Sequence, residues 1–533
     1  MDAGLLEHLT IVPIVLPLLA AVLLVLFEDR TAKVAISITA TALLLGVALA
    51  LLVRTNDGGP AISTYALGNW PVPFGIVLVA DRLSTLMVAL TAVLALSSIV
   101  FATARWHRAG ANFHSLFQLL LMGLNGAFLT GDLFNLFVFF ELLLAASYGL
   151  VLHGSGNTRV RAGLQYIAFN LANSSLFLIG VSLIYGVTGT LNMADLAVRI
   201  PLIPEADRML FEAGAAILGV AFLVKAAMWP LSFWLPTTYA AVAPPVGAMF
   251  AIMSKVGVYV ILRLFLLLFG EGAGELAHFG GQWLLYGGMA TIAFGAIGVL
   301  ASQGLARLAG SSVLVSSGTL LAMIGYENVG VTAGALFYLV SSTLALSCLY
   351  LLVELVERGR DAAADVLAIT LEAFGDDEEP THEEEIGIAT PRTLAVLSAA
   401  FTGCALVLAG MPPLSGFLAK FAMLSAMFNL DGLGAGGVIS APSWALAAIL
   451  ILSGLATMIA LVRAGINTFW VSFDTEVPRI QAIEMGPVLL LLGLCVLLTI
   501  LAGPAMNYMD ITAEGLFRSA DYIATVFPGG GQP

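Results

Sequence analysis

Charge is scarce in this chain, and lysine is the scarcest of the charged residues. Of 533 residues only 10% are Asp, Glu, Lys or Arg, where a soluble domain carries about a quarter. Hydrophobic residues make up 60%, and the mean hydropathy is +1.00. Such a chain can keep its side chains out of water only in lipid, which excludes soluble multidomain packing. Cysteine is nearly absent. Cys348, Cys404 and Cys495 all fall inside apolar runs and read as small buried hydrophobes, with no disulfide framework and no metal spacing. The six histidines (His8, His107, His114, His153, His278 and His382) sit at run ends or in loops, where surface or interface packing is the expected role. Also missing are a Walker lysine loop, a glycine-rich dinucleotide fingerprint after a strand, and a Cys or His metal set. No cofactor and no metal site is therefore expected. The energy source is expected to be a proton gradient or a neighbouring subunit.

What the chain has is apolar length. Fourteen runs are long enough to cross a bilayer as helices, which takes about 20 residues. They are 9–27, 33–53, 80–103, 114–131, 133–152, 163–186, 212–229, 244–268, 281–301, 306–325, 331–353, 392–428, 443–462 and 485–504. Strict alternation and even strand spacing, the marks of an outer-membrane barrel, are lacking. The expected fold is an all-α polytopic membrane bundle. The first run follows Met1-Asp2-Ala3, without the basic start and small-residue cleavage site of a signal peptide, and is expected to remain as a span.

Lys and Arg set the expected orientation. With the N-terminus outside, the inner loops hold twelve of them, including Lys33, Arg105, Arg159, Arg161, Arg307 and Arg358, against five on the outer side. An even number of spans puts the C-terminus outside as well. The expected location is a bacterial-type plasma membrane. The net charge of −13 comes largely from loops, above all Glu372 to Glu385, which reads as a solvated cytoplasmic loop.

There are four lysines, and only Lys33 lies in a loop. Lys225, Lys255 and Lys420 sit within apolar runs, joined there by one acid, Glu141. A charged group at the centre of an inserted helix costs about 2.5–3.5 kcal/mol, so four unpaired and dry groups would cost roughly 10–14 kcal/mol, comparable with a domain's net stability. They must pair, meet water or neutralise. Glu141 is ninth in a run of twenty and Lys255 twelfth in a run of twenty-five, too deep to reach a headgroup easily. Burial moves carboxyl and ammonium groups towards proton exchange at neutral pH, and an ion pair moves them back. Making and breaking a Glu141–Lys225 pair would therefore switch proton affinity. The plainer alternative is a static pair that fixes helix packing.

Broken helices are the second signal. Pro230 follows Lys225 closely and cannot donate to the carbonyl of residue 226; Pro236, Pro244 and Pro245 continue the interruption. Irregular backbone survives at membrane depth only when packed in protein or lining a hydrated cavity. Run 392–428 would span about 55 Å as one helix, against about 30 Å of hydrocarbon. Gly410-Met411-Pro412-Pro413 is its natural break, with Lys420 just beyond. The two breaks resemble each other: Pro230-Leu231-Ser232-Phe233-Trp234-Leu235 and Pro413-Leu414-Ser415-Gly416-Phe417-Leu418. Paired interrupted segments in two halves of a transporter point to its ion path.

These residues resemble a known superfamily, the antiporter-like subunits shared by respiratory complex I and the Mrp cation/proton antiporters. The chain is most similar to the Mrp-type D subunits, of the variety also called Pha, across essentially its whole length. The stretches that carry the likeness are Asp81-Arg82-Leu83-Ser84, Met122-Gly123-Leu124-Asn125-Gly126-Ala127-Phe128 through Glu141, Ala146-Ser147-Tyr148-Gly149-Leu150 to His153-Gly154, Lys225 to Pro236, Lys255-Val256-Gly257-Val258-Tyr259, and Met411-Pro412-Pro413-Leu414-Ser415-Gly416-Phe417. The resemblance implies two inverted five-helix repeats, each with one broken helix. Residues 1–113 would form spans 1–3, 114–270 the first repeat, 281–463 the second with an acidic cytoplasmic loop at about 357–391, and 464–533 the last span and an outer tail. It also implies a hydrated proton route, with Glu141 and Lys225 as the switching pair, Lys255 as central relay and Lys420 as exit gate.

The sequence departs from that pattern where many relatives carry a histidine in the tenth or eleventh span. The matching positions are Ser312 and Ser341, which can hold water but do not titrate near neutral pH. Either water bridges Lys255 to Lys420, or the second half conducts poorly. Four features are expected to be structural. Asp132 and Asn135 read as a helix cap, and Arg263 as an anchor able to snorkel. Ser316, Ser317, Ser342 and Thr343 read as serving helix carbonyls, and Gly288, Gly295 and Gly298 as close-packing sites.

The expected function is proton translocation within a multisubunit monovalent cation (Na+ or K+)/proton antiporter. Expected partners are the other antiporter subunits, protons, Na+ or K+, and the lipid bilayer, with no nucleic acid among them. Two rivals stand beside this reading: a proton-pumping subunit of a complex I-like or membrane hydrogenase enzyme, and a non-conducting scaffold for partner subunits.

Overall fold

The computed structural model describes residues 8–56, 61–110, 112–372, 391–428, 439–469 and 480–527. All fourteen apolar runs are helical there. Eleven of the helices are long and apolar enough to cross a membrane, from Arg30–Asn56 to Ala482–Ile500. The remaining runs form the shorter Val12–Leu26 and Phe113–Leu129 helices and a broken pair, Pro391–Ala409 and Ser415–Phe428. The chain is an all-α polytopic membrane protein.

Burial separates a core from a rim. In the Pro244–Leu268 helix every residue after Pro244 is buried. The Leu305–Ile324 helix and the Val329–Arg358 part of its successor are almost as fully enclosed. A helix apolar on all sides needs apolar surroundings on all sides, and here protein supplies them. Rim helices such as Arg30–Asn56 and Ala482–Ile500 expose Leu43, Leu49, Val53, Leu489, Leu490 and Val496. Glycine sets the closest approach in the second half. A Cβ on Gly288 would lie 2.4 Å from the Ala322 nitrogen, so the Gly281–Ala301 and Leu305–Ile324 helices meet backbone to backbone. Asp132 caps the Leu133–Val151 helix, accepting from the Asn135 N–H at 2.8 Å. The three cysteines are free and buried.

Three elements were not anticipated. An antiparallel hairpin of Ile62–Ala66 and Val77–Asp81 runs directly into the Arg82–Ala102 helix, which Asp81 and Ser84 start with a capping box. A short helix, Met193–Arg199, follows the Asn157–Thr188 span. The expected C-terminal tail is instead two helices, Ala502–Phe517 and Ser519–Val526, the first of which packs against the long helix that begins at Val329. The acidic stretch also needs correcting. The helix that begins at Val329 runs to Glu372 through Ala362-Ala363-Ala364, good helix formers, so the loop expected from about 357 does not start there. Residues 373–390, with most of the acids, lie outside the described residues.

Arg263 anchors the fold, but it does not snorkel. It is buried and forms a bidentate pair with Asp81, at 2.5 Å from Nη1 and 2.8 Å from Nη2. Its guanidinium also lies 5.3 Å from the centre of the Tyr522 ring. One ion pair thus ties the hairpin exit, the central helix and the C-terminal segment together, and the Tyr508 hydroxyl adds a bond to the Arg82 carbonyl at 2.8 Å. Removing one partner of a buried pair strands a charge, so Asp81→Asn is expected to destabilise the protein by about 3–5 kcal/mol. The Asp81→Asn/Arg263→Met double variant should recover much of that loss, as read by thermal denaturation of the purified protein.

Candidate functional site

Lys225 lies in the last turn of the Glu205–Ala226 helix. That helix ends with Ala227 in the left-handed region at φ +58°, the Ala227 N–H donating to Val224 O at 3.1 Å and the Met228 N–H to Leu223 O at 3.0 Å. This bond pair is a Schellman stop. The Trp229 N–H beyond it donates to Thr291 Oγ1 at 2.8 Å, and Val224 O accepts a second hydrogen bond, from Trp234 Nε1 at 3.3 Å. The chain resumes as the Trp234–Ala241 helix, with Pro236 in its first turn, where a missing N–H is harmless.

The second break repeats this construction. Gly410 is left-handed at φ +75°, its N–H donates to Val407 O at 3.1 Å, and the Met411 N–H donates to Leu406 O at 3.0 Å. Pro412 and Pro413 follow, and helix resumes at Ser415. The Trp229–Pro230 and Pro412–Pro413 bonds are both cis. Here the freed carbonyl is taken by lysine: Lys420 Nζ donates to Ala409 O at 3.0 Å. Room for this exists because residues 410 and 454 are glycines. A Cβ on Gly410 would lie 2.7 Å from Lys420 Cδ, and one on Gly454 would lie 2.9 Å from Nζ.

Glu141 and Lys225 form no ion pair in this structure. Glu141 accepts a hydrogen bond from the Ser174 hydroxyl instead. Lys225 is fully buried, its Nζ 5.3 Å from the centre of the Phe140 ring and without a hydrogen-bond partner among the described residues. The expected contact between them is thus not made here. Around it stand Asn170, Asn173 and Ser174 on one face of the Asn157–Thr188 helix. Asn173 donates to Ala221 O at 3.1 Å, and the side-chain carbonyl oxygens of both asparagines are buried without partners among the described residues. Sequence reasoning missed this polar face, although its i, i+3, i+4 spacing inside an apolar run was visible.

Lys255 sits nearby. Its helix crosses the end of the Lys225 helix where a Cβ on Gly257 would fall 2.6 Å from the Ala226 nitrogen. Its Nζ donates to Ser316 Oγ at 2.8 Å and Ser317 Oγ at 3.3 Å, and Ser316 Oγ is 3.0 Å from Ser342 Oγ. Ser316 and Ser317, expected to serve helix carbonyls, bind the lysine; Ser342 and Thr343 do bond Leu339 O, at 3.4 and 2.6 Å. A small cavity follows, with about 10 Å³ open to the centre of a water molecule, room for about one. Ser312, Ser316, Ser341, Ser342 and Tyr338 line it, with Leu408 and Gly416 from either side of the second break. Ser341 continues the chain to Ser415 Oγ at 2.8 Å. Ser312 and Ser341 thus share one polar cavity, although Ser312 also bonds Leu308 O.

The five described histidines lie off this axis, and His382 lies outside the described residues. His114 and His153 are buried in packing contacts, each ring against Phe113, and His153 Nε2 lies 2.8 Å from Trp106 O. Among the described residues no three His, Cys, Asp or Glu side chains cluster to hold a metal. What the site offers is a series of buried ammonium groups held by hydroxyls, a carbonyl and a ring face, strung between two helix breaks.

A family model described as NADH:quinone oxidoreductase/Mrp antiporter, transmembrane, matches residues 130–435. The chain belongs to this family of antiporter-like membrane subunits. It is 61% identical over 516 residues, 96% of each chain, to a protein of Rhizobium meliloti named as the D subunit of a probable K(+)/H(+) antiporter. To the D subunit of the Na(+)/H(+) antiporter of Bacillus subtilis it is 33% identical, covering 98% of this chain and 99% of that one. Among solved structures, a chain of the Mrp complex from Dietzia sp. superposes with a TM-score of 0.81 at 25% identity, over 98% of this chain and 99% of that one. A chain of respiratory complex I from Thermus thermophilus shares the fold, with a TM-score of 0.75 at 22% identity over 96% and 99% of the two chains.

Gly410→Ala tests the second break. A left-handed non-glycine residue costs about 1–2 kcal/mol, and the added methyl would push Lys420 off Ala409 O. A thermal midpoint unchanged in the purified protein would contradict that placement.

Proposed function

We propose that this chain is the proton-translocating D-type subunit of a multisubunit antiporter that exchanges K+ or Na+ for protons, driven by the proton gradient across a bacterial plasma membrane. Its route runs from Glu141 and Lys225 through Lys255 to Lys420, within two five-helix units, 114–270 and 281–463. Both termini face outward, as the Lys and Arg distribution favours.

One observation carries the reading: among the described residues, none of the three intramembrane lysines has a carboxylate in contact. Losing a proton from such a group removes a buried charge without breaking an ion pair, whereas a static structural lysine would be expected to keep a partner. Glu141, held by a serine, can turn towards Lys225 and restore the pair. Each making and breaking of that contact alternately favours and disfavours the charge on Lys225. From Lys255 onward, hydroxyls that both donate and accept, with a water in the cavity, extend the path towards Lys420. Ser312 and Ser341 act here as water-lining residues in place of a titrating side chain. Pro230, Pro236, Pro412 and Pro413 keep the backbone open where the path passes.

Antiport in inverted vesicles would compare the complete complex carrying either the unaltered chain or Lys225→Ala. Transport is expected to fall to background while the partner subunits still co-purify. Retained antiport would make the buried lysines structural. Ser342→Ala is expected to lower the rate several-fold and leave assembly intact; an unchanged rate would remove the serine bridge from the route.

A further inference from the structure

A larger polar opening lies away from the lysine axis, on the face where the arginines gather. A cavity of about 1020 Å³ separates the start of the Asn157–Thr188 helix from the turn that joins Gly281–Ala301 to Leu305–Ile324. Arg161 lines it from one side and Arg307 from the other, with Gln165 and Gln303 beside them, and no carboxylate is among its lining residues. Neither arginine has an ion-pair or hydrogen-bond partner among the described residues. Asn157 and Thr158 also line the cavity, and their helix begins at Gly156 without a side-chain cap. First-turn N–H groups and the positive end of the helix dipole are thus available to an anion. Two guanidiniums are well matched to phosphate oxygens.

The surroundings distinguish one source of phosphate from another. Along the same helix, about one and three turns beyond Arg161, Leu164 and Leu171 are each 61% exposed. One turn from the cavity-lining Ala301, Ile297 is 65% exposed. The cationic opening therefore continues into apolar strips on both bounding helices. That is the profile of a molecule with an anionic head and hydrocarbon tails.

We propose that this cavity binds the phosphate headgroup of an anionic phospholipid, clamped between Arg161 and Arg307, with its acyl chains along Leu164 and Ile297. The two arginines come from the first and second of the proposed five-helix units, so the lipid bridges them. Thr237, Ala240 and Ala241 of the segment after the first break also line the cavity, so the headgroup rests against that segment.

The test uses the assembled complex in phosphatidylcholine nanodiscs containing spin-labelled phosphatidylglycerol, and reads the immobilised lipid fraction. Arg161→Gln/Arg307→Gln is expected to weaken phosphatidylglycerol retention roughly tenfold or more, from about 1 kcal/mol per cationic side chain. Arg161→Lys should keep most of it, and added inorganic phosphate should displace none. Equal retention in the double variant would overturn the proposal. So would displacement by inorganic phosphate, which would mark a site for free anions. A photo-crosslinker at position 165 that captured a partner subunit instead of lipid would also overturn it. This readout does not depend on ion transport, so its failure and that of the antiport reading are separable.

Discussion

Hydrocarbon offers no partner to a free backbone carbonyl or N–H, and among its described residues this chain interrupts a helix at two proline-marked breaks. Each unsatisfied group there costs several kcal/mol, so every interruption must be answered from within the protein. The answers determine much of the architecture. Thr291 must lie against Trp229, which sets the first break beside the Gly281–Ala301 helix. Trp234 must fold back on Val224. Lys420 must reach Ala409, which in turn requires glycine at 410 and 454. The same side chain that completes the backbone at the second break is a charged group of the candidate route, so structure and chemistry cannot be varied separately there.

The features legible in the sequence were those written in letters rare in lipid. Three lysines, one glutamate and two proline clusters stood out against apolar runs, and the structure has the two breaks where those prolines fall. Sequence alone could not say whether Glu141 and Lys225 would be in contact, because that depends on side-chain rotamers. The contact of Ser316 and Ser317 with Lys255 was missed for a different reason. A serine in a membrane helix can always bond its own backbone, so the letter carries no sign of a longer-range partner. Asp81 and Arg263 lie 182 residues apart, and nothing local to either announces the other. The C-terminal helices were missed because the last apolar run was read straight through Leu501, where the helix ends.

The two halves solve a similar problem with different chemistry. In the first, polar side chains gather round a lysine that touches none of them: asparagines and Ser174 on one helix, with the Phe140 ring beneath the ammonium. In the second, hydroxyls make contact at each step from Lys255 to Ser415, apart from the small cavity. The first leaves its ammonium without a hydrogen bond among the described residues. The second is tightly connected and, among the described residues, has no histidine or carboxylate between its two lysines.

The enclosure of Lys255 also bears on the order of events during biosynthesis. When the Pro244–Leu268 helix leaves the ribosome, the serines that will hold its ammonium are 61 and 62 residues further along the chain. The helices that finally surround it, Leu305–Ile324 and the one beginning at Val329, come later as well. For that interval the lysine must be sheltered by the insertion machinery or by the earlier spans. The central helix is thus open to misassembly before its neighbours arrive, and enclosed on all sides afterwards.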